Sequence, residues 1–301
     1  MRRLRFICYS LDFPARLVYP GPMRELSGLT ALVTGASRGV GVYIARALAK
    51  EKMQLALAAR SAAELNALAA ELSGQGVRAR AFVADVAAAD SAAELLERVG
   101  RELGPIDVLV NNAGIEQSSV FHETPLADLE RMIAVNLVAP MRLSRLVLPG
   151  MLERRRGHVV CIASLAGKFG PAFQVAYGAS KAGLIEFAHA LRSEYLGTGV
   201  SASAVCPGFI TEAGMYQRML ERTGARPSPL LGTTTPQAVA KAVVRVVKRD
   251  LAEVAVSPGP ARLTFAFAQL FPNLAVGVAR SLTNDVFRKD AEARRHETGR
   301  Q

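Results

Sequence analysis

The chain has 301 residues, 50% of them hydrophobic and 21% charged, with 25 Gly, 15 Pro and no Trp, a balance that excludes a disordered or collagen-like chain and supplies ample apolar surface for a core. The formal net charge of +11 is spread along the chain rather than gathered on a recognisable basic module, which argues against nucleic-acid binding. Cys8, Cys161 and Cys206 are too few and too scattered for a disulfide scaffold, and the 4 histidines lack metal-ligand spacing.

Residues 1–27 read as an N-terminal extension. Asp12, Pro14 and Arg16 interrupt any signal-peptide core, and Met23 offers an alternative start just ahead of the first strand, which would make the leader a gene-model artefact. Short β-rich runs then alternate with helical stretches. Strands are predicted at Leu29–Thr34, Gln54–Ala59, Arg78–Val83, Asp107–Asn111, Gly157–Ile162, Val200–Val205 and Glu253–Ser257. Helices are predicted at Gly41–Glu51, Ala62–Gln75, Ala88–Leu103, Leu126–Arg154, Tyr177–Leu196 and Pro236–Lys248. Strands that are apolar nearly throughout, joined by crossover helices, imply a parallel sheet covered on both faces. Right-handed crossovers wind it into a doubly wound, Rossmann-type α/β sandwich. No composition shift divides residues 28–258, which read as one nucleotide-binding catalytic domain.

Residues 259–301 read as short C-terminal apolar helices followed by a charged tail. Within residues 262–282, Arg262, the Pro272–Asn273 break and Arg280 argue against a membrane-spanning helix and predict two short helices, about 263–271 and 273–282. Phe265, Phe267, Leu270, Phe271, Leu274 and Val278 suit a cover over the domain or a subunit interface. A monotopic membrane foot and a substrate lid are the sharper alternatives. The expected location is cytoplasmic, with residues 262–282 as the candidate peripheral membrane contact.

The first predicted strand runs into Thr34-Gly35-Ala36-Ser37-Arg38-Gly39-Val40-Gly41 and then a helix. Gly35 permits a tight turn, while Gly39 and Gly41 let backbone and helix approach ligand and sheet without a Cβ between them. The helix N-terminus offers free N–H groups to a pyrophosphate. At the end of the second strand, where an acid would select NAD by accepting from the ribose hydroxyl, Arg60 stands instead. Arg60 and Arg38 present guanidinium forks suited to a 2′-phosphate, so NADP(H) is the expected cofactor. Asp85 follows the third strand where an adenine edge would reach, and Asn111-Asn112-Ala113-Gly114 ends the fourth with amides that tie loops together.

Ser164 follows the fifth strand, and Tyr177 and Lys181 share one helical face at i and i+4. A phenol with an ordinary pKa of about 10 is a poor base at neutral pH, and a neighbouring ammonium would lower it. The pair then makes a proton-transfer device, with Ser164 positioning a carbonyl or alcohol oxygen. Each residue alone has a structural explanation: a turn cap, a packed ring, a solvated cation. Their joint placement is harder to explain that way.

With these motifs in this order, the chain resembles the short-chain dehydrogenase/reductase family over residues 28–257. The resemblance implies that the Thr34–Gly41 turn holds the coenzyme pyrophosphate and that Asp85 and the Val86 backbone contact adenine. It places Asn112, Ala113 and Gly114 in the family's NNAG motif. Asn136 is implied to bend its helix and hold a water on the proton path, and Ser164, Tyr177 and Lys181 to be catalytic, Lys181 also binding the nicotinamide ribose. In Pro207-Gly208-Phe209-Ile210-Thr211, Ile210 is implied to bind the carboxamide through its backbone and Thr211 to assist. The implied reaction is reversible hydride transfer between nicotinamide and a carbonyl carbon, in a dimer or tetramer packed through residues 126–154 and 177–196.

The segment from Glu212 to Ala225 would form a lid. Met215, Tyr216, Met219 and Leu220 supply an apolar lining, with Leu165, Phe169, Phe173 and Val175 beside the catalytic loop. A hydrophobic ketone or secondary alcohol is the expected substrate. A 3-oxoacyl reductase on carrier- or CoA-linked chains, with Arg218, Arg222 and Arg226 as a basic rim, is the alternative enzyme. A non-catalytic nucleotide-binding scaffold is the alternative outside catalysis.

Overall fold

The structure, a computed structural model, describes residues 23–88, 90–229, 231–258 and 267–298. The expectations for residues 1–22, for Cys8 and for Arg262 and Phe265 lie outside the described residues. Seven strands, β1 (Thr30–Thr34), β2 (Gln54–Ala59), β3 (Ala79–Val83), β4 (Ile106–Asn111), β5 (Gly157–Ile162), β6 (Val200–Pro207) and β7 (Glu253–Val256), form one sheet in the order β3-β2-β1-β4-β5-β6-β7. Every neighbouring pair is parallel. β1, β4, β5 and β6 are buried along their whole lengths, which is why their sequences are apolar without alternation.

The alternation survives as a choice between two cores. Ala31 and Val33 of β1 face the layer of α1 (Val40–Lys50), α2 (Ala62–Gly74) and α9 (Pro236–Arg249), packing with Ile44, Leu48, Leu65 and Val243. Leu32 faces α3 (Ser91–Leu103), α5 (Ala139–Glu153) and α7 (Val175–Glu194), with Leu95, Leu143 and Leu184. Strand order reverses between β1 and β4, and the crevice beyond their carboxyl ends is where such sheets take ligands.

The helix predicted over 126–154 is present over Leu126–Glu153, and its α pattern breaks at a π turn, Ala134–Val138, that separates α4 (Leu126–Ile133) from α5. The extra residue in the π turn brings Asn136 inward to full burial, where its amide bonds other segments. By length and composition alone the run Leu126–Glu153 could cross a membrane, yet Leu143, Val147 and Met151 lie in the core.

At the C-terminus, the helix predicted to end at 282 runs on as α10 (Pro272–Thr298), preceded by a helical turn at 267–270. Pro272 starts α10, a position where its missing N–H costs nothing. The charged stretch is therefore the second half of a helix, not a tail. Thr283, Val286, Phe287, Asp290 and Ala291 are all buried. The first half leaves Leu274 and Val276 exposed, as is Leu270 in the turn before it.

Candidate active site

At the crevice, Gly35 (φ +66°) turns the chain, and Gly41 follows so closely that a Cβ on it would lie 2.2 Å from the Gly35 carbonyl oxygen. A Cβ on Gly35 would meet the Ala113 Cα at 2.8 Å. The turn is locked from β4. The Thr34 hydroxyl accepts from the Asn112 and Ala113 N–H groups at 3.0 Å each, and the Asn112 amide donates to the Thr34 carbonyl at 2.9 Å and the Gly35 carbonyl at 3.2 Å. Helix α1 starts with no side-chain cap, leaving its N-terminal N–H groups open to the crevice.

A cavity of about 290 Å³ runs from this turn to the segment after β6. One end is lined by Gly35, Ser37, Arg38, Gly39, Val40, Arg60, Asp85, Val86, Asn112, Ala113 and Gly114. Its middle is lined by Ser164, Tyr177, Lys181, Pro207, Gly208 and Ile210. The other end is closed by Met215, Tyr216, Arg218 and Met219, of which α8 (Met215–Thr223) carries all four. Three residues expected at the site stand behind its wall. Gly41 packs on Gly35, and Thr211 donates to the Thr234 carbonyl at 3.2 Å. Asn136 accepts from the Ile115 N–H at 2.8 Å and donates to the Ile115 carbonyl and Ser180 hydroxyl at 2.9 and 3.0 Å. Its side chain clamps the loop after β4 to α7.

Ser164 accepts at 3.1 Å from the N–H of Ala166, the first residue of the short helix α6 (Ala166–Phe169), and hydrogen-bonds with Tyr177. Lys181 is buried, donates to the Ile162 carbonyl at 2.9 Å, and holds its Nζ 5.8 Å from the centre of the Tyr177 ring. Burial lowers the Lys181 pKa to about 8. Burial likewise raises Tyr177; the Ser164 hydrogen bond opposes this and the charge of Glu116 adds to it. The expected lowering of the phenol by Lys181 is not seen, because burial outweighs an ammonium that faces a carbonyl rather than the hydroxyl.

Of the expected pocket lining, Leu165 and Phe169 contribute, whereas Val175 is exposed and Phe173 and Leu220 pack behind Tyr216 and Met219. Arg222 is no rim cation: it pairs with the buried Asp290. Sequence reasoning missed Glu116, Gln174 and Phe287, which also line the cavity. The Glu116 carboxylate, 8% exposed, accepts from Gln174 at 2.9 Å, and burial raises its pKa. Only the spacing of Thr283, Val286/Phe287 and Asp290/Ala291, an i, i+3/i+4, i+7/i+8 face, signalled Phe287 in advance.

A family model for short chain dehydrogenases matches residues 29–223. The chain belongs to the short-chain dehydrogenase family. It is 44% identical to the ketoacyl reductase HetN of Nostoc sp. over 255 residues, 83% of this chain and 88% of that protein. It is 38% identical to a 3-oxoacyl-[acyl-carrier-protein] reductase of Synechocystis sp. over 189 residues, 62% of this chain and 76% of that one. Among solved structures, a metagenomic short-chain oxidoreductase in complex with NADP matches with a TM-score of 0.66 and 34% identity, over 78% of this chain and all of that one. As a short-chain dehydrogenase the chain is a nicotinamide-dependent oxidoreductase acting on a small organic substrate.

Proposed function

We propose that this short-chain dehydrogenase exchanges hydride between NADP(H) and a hydrophobic ketone or secondary alcohol, with Tyr177 as the proton donor. The observation that carries the reading is one cavity shared by Arg38 and Arg60 at one end and Ser164, Tyr177 and Lys181 in the middle. The residues fit a dinucleotide. The glycine turn leaves no Cβ above an uncapped helix N-terminus, and two arginines line the adenosine end, Arg60 standing just past β2 where an acid would select the unphosphorylated coenzyme. Ser37, Gly39 and Val40 would hold its pyrophosphate, Asp85 and Val86 its adenine, and Pro207, Gly208 and Ile210 its nicotinamide.

A bound nicotinamide supplies hydride-transfer chemistry. The phenol of Tyr177, kept protonated at neutral pH by its burial, delivers a proton to the substrate oxygen. The Ser164 hydroxyl donates to the same oxygen as its charge grows, and the Lys181 ammonium holds positive charge beside the ring. Reduction of 3-oxoacyl thioesters is a second reading, supported by the names of the Nostoc and Synechocystis relatives. The exposed Val138, Met141 and Leu146 of the 134–153 region support our reading of a homo-oligomer, and Leu270 of the preceding turn with Leu274 and Val276 of α10 that of a surface contact by this end of the chain.

The test is NADPH and NADH oxidation against a panel of ketones and 3-oxoacyl thioesters, with Arg60→Asp beside the unaltered enzyme. A charged hydrogen bond of about 1.5–3 kcal/mol predicts a ten- to hundredfold preference for NADPH, which Arg60→Asp shrinks. Equal kcat/KM for the two coenzymes refutes the choice of NADP(H). Binding of NADPH without oxidation across the panel favours the scaffold reading.

A further inference from the structure

Helix α10 brings a side chain into the cavity from beyond the region that the family model matches, residues 29–223. The Phe287 ring stacks on Phe209 with centroids 5.8 Å apart at 27°, and Phe209 meets Tyr216 edge-on at 5.0 Å and 66°. Phe209, Tyr216, Met219 and Phe287 all line the cavity, so they form its distal wall as well as a small core of their own with Val286. Apolar packing alone would leave the register of a helix on such a surface weakly defined.

The register is set by charge. Asp290 has no exposed side-chain surface, and it lies one position short of a turn from Phe287. Its Oδ1 accepts from Arg222 Nε of α8 at 3.0 Å, its Oδ2 from Arg294 Nε at 3.1 Å, and Ser118 also bonds it. Burial would raise this carboxyl, but the hydrogen bonds from Arg222 and Ser118 and the charge of Arg294 outweigh it and hold the group ionised. Arg294 in turn lies 3.8 Å from the Glu116 carboxylate on the cavity wall, and Arg295 pairs with Glu123. A buried carboxylate that leaves its partners is costly, so α10 cannot slide while these bonds hold. A slip of one turn, about 5.4 Å, would set Thr283 or Ala291 where Phe287 now stands, and either would open the wall.

We propose that Phe287 is a specificity-determining residue that limits the length of the apolar substrate, and that Asp290 is the positioning residue that fixes it there. This rests on the proposed ketone reduction. The inference makes the C-terminal helix, rather than α8 alone, the measure of substrate size. It also explains why a charged segment at the end of the chain is buried on one face.

The experiment uses the full chain, NADPH and a series of straight-chain methyl ketones of increasing length. For Phe287→Ala and Phe287→Leu, the ratio of kcat/KM for long over short ketones should rise about tenfold or more for alanine and less for leucine, since one methylene in an apolar pocket changes discrimination by roughly 10–200-fold. The Kd for NADPH, read by fluorescence, should stay within about twofold, because hydrophobic contacts at the distal wall do not reach the coenzyme end. Asp290→Ala should shift the ratio in the same direction and Asp290→Glu should restore part of the original preference. Turnover with an unchanged length preference in both Phe287 variants overturns the specificity role. A shift in Phe287 variants without one in Asp290→Ala overturns the positioning role. Variants that lose NADPH affinity and turnover at all lengths together would show a structural role only and overturn both. No ketone turnover by the unaltered enzyme would instead overturn the functional reading, and this inference with it.

Discussion

Replacing Gly41 by alanine tests whether the turn at the crevice is as tight as its geometry requires. The new Cβ would stand 2.2 Å from the Gly35 carbonyl oxygen, 2.9 Å from the Gly35 carbonyl carbon and 2.8 Å from the Asn112 amide nitrogen. Two of these are backbone atoms of the turn itself, so relief requires α1 and the turn to separate by about 1 Å to reach ordinary contact. Overpacking of this kind costs about 1–3 kcal/mol, or roughly 2–6 °C in Tm for a chain of this size. Because the same separation moves the helix N-terminus, the Kd for NADPH should rise at least tenfold, the loss of one charged hydrogen bond being worth about 1.5–3 kcal/mol. Thermal unfolding and fluorescence titration read the two effects. Gly100→Ala in α3, where nothing lies within 4 Å of the added Cβ, is the control and should gain about 0.5–1 kcal/mol. If Gly41→Ala behaves like Gly100→Ala, with Tm and Kd both preserved, the turn does not confine the helix and this account of it is wrong.

Tyr177→Phe should lower kcat by at least about a hundredfold while leaving the Kd for NADPH within a few fold, measured by steady-state rate and titration; retained turnover would mean another group delivers the proton. The ion pair of Arg192 with Asp250, 12% and 7% exposed, joins α7 to the end of α9 through contacts of 2.7 and 3.0 Å, and Ser201 adds one at 2.7 Å. Asp250→Ala removes the counter-charge from a part-buried guanidinium that keeps its bonds to the Ser201 hydroxyl and the main-chain carbonyls of Ala202 and residue 250, and should cost about 1.5–3 kcal/mol in denaturant unfolding, whereas a loss under about 0.5 kcal/mol would show the pair to be solvated. For Lys181, with a folded pKa of about 8 against an ordinary 10.5, the unfolded chain binds the extra proton between those values, so this group makes stability rise with pH across that window. Lys181→Met should therefore be more stable than the unaltered chain at pH 7 and lose that advantage between about pH 8 and 10.5; an advantage constant with pH would refute the assignment.

The sheet and its nucleotide crevice were legible in the chain because the signals are local. β2 and β5 begin and end where the apolar runs do, and β1 stops at Thr34, where the glycine turn begins. Tyr177 and Lys181 lie on the same helix, so their spacing alone puts them side by side. The break in the 126–154 helix was not legible in its own letters, since Ala134–Val138 reads as good helix. It follows from Asn136 finding Ile115 and Ser180, partners distant in sequence. Likewise the pKa of Tyr177 depends on how deeply the crevice buries it, which no spacing encodes.

The sequence by itself determined a doubly wound sheet, a glycine turn after β1 and the shared helical face of Tyr177 and Lys181, because glycine turns, apolar strands and i,i+4 pairs act over a few residues. The tertiary structure alone decided that the charged C-terminal stretch places Phe287 in the wall of the cavity. Arg222 and Asp290 look like solvated charges until α8 and α10 meet, and only that meeting buries Asp290 and turns Phe287 inward. A charge signals burial only through its partners, and the one that joins α8 to α10, Arg222, is 68 residues away.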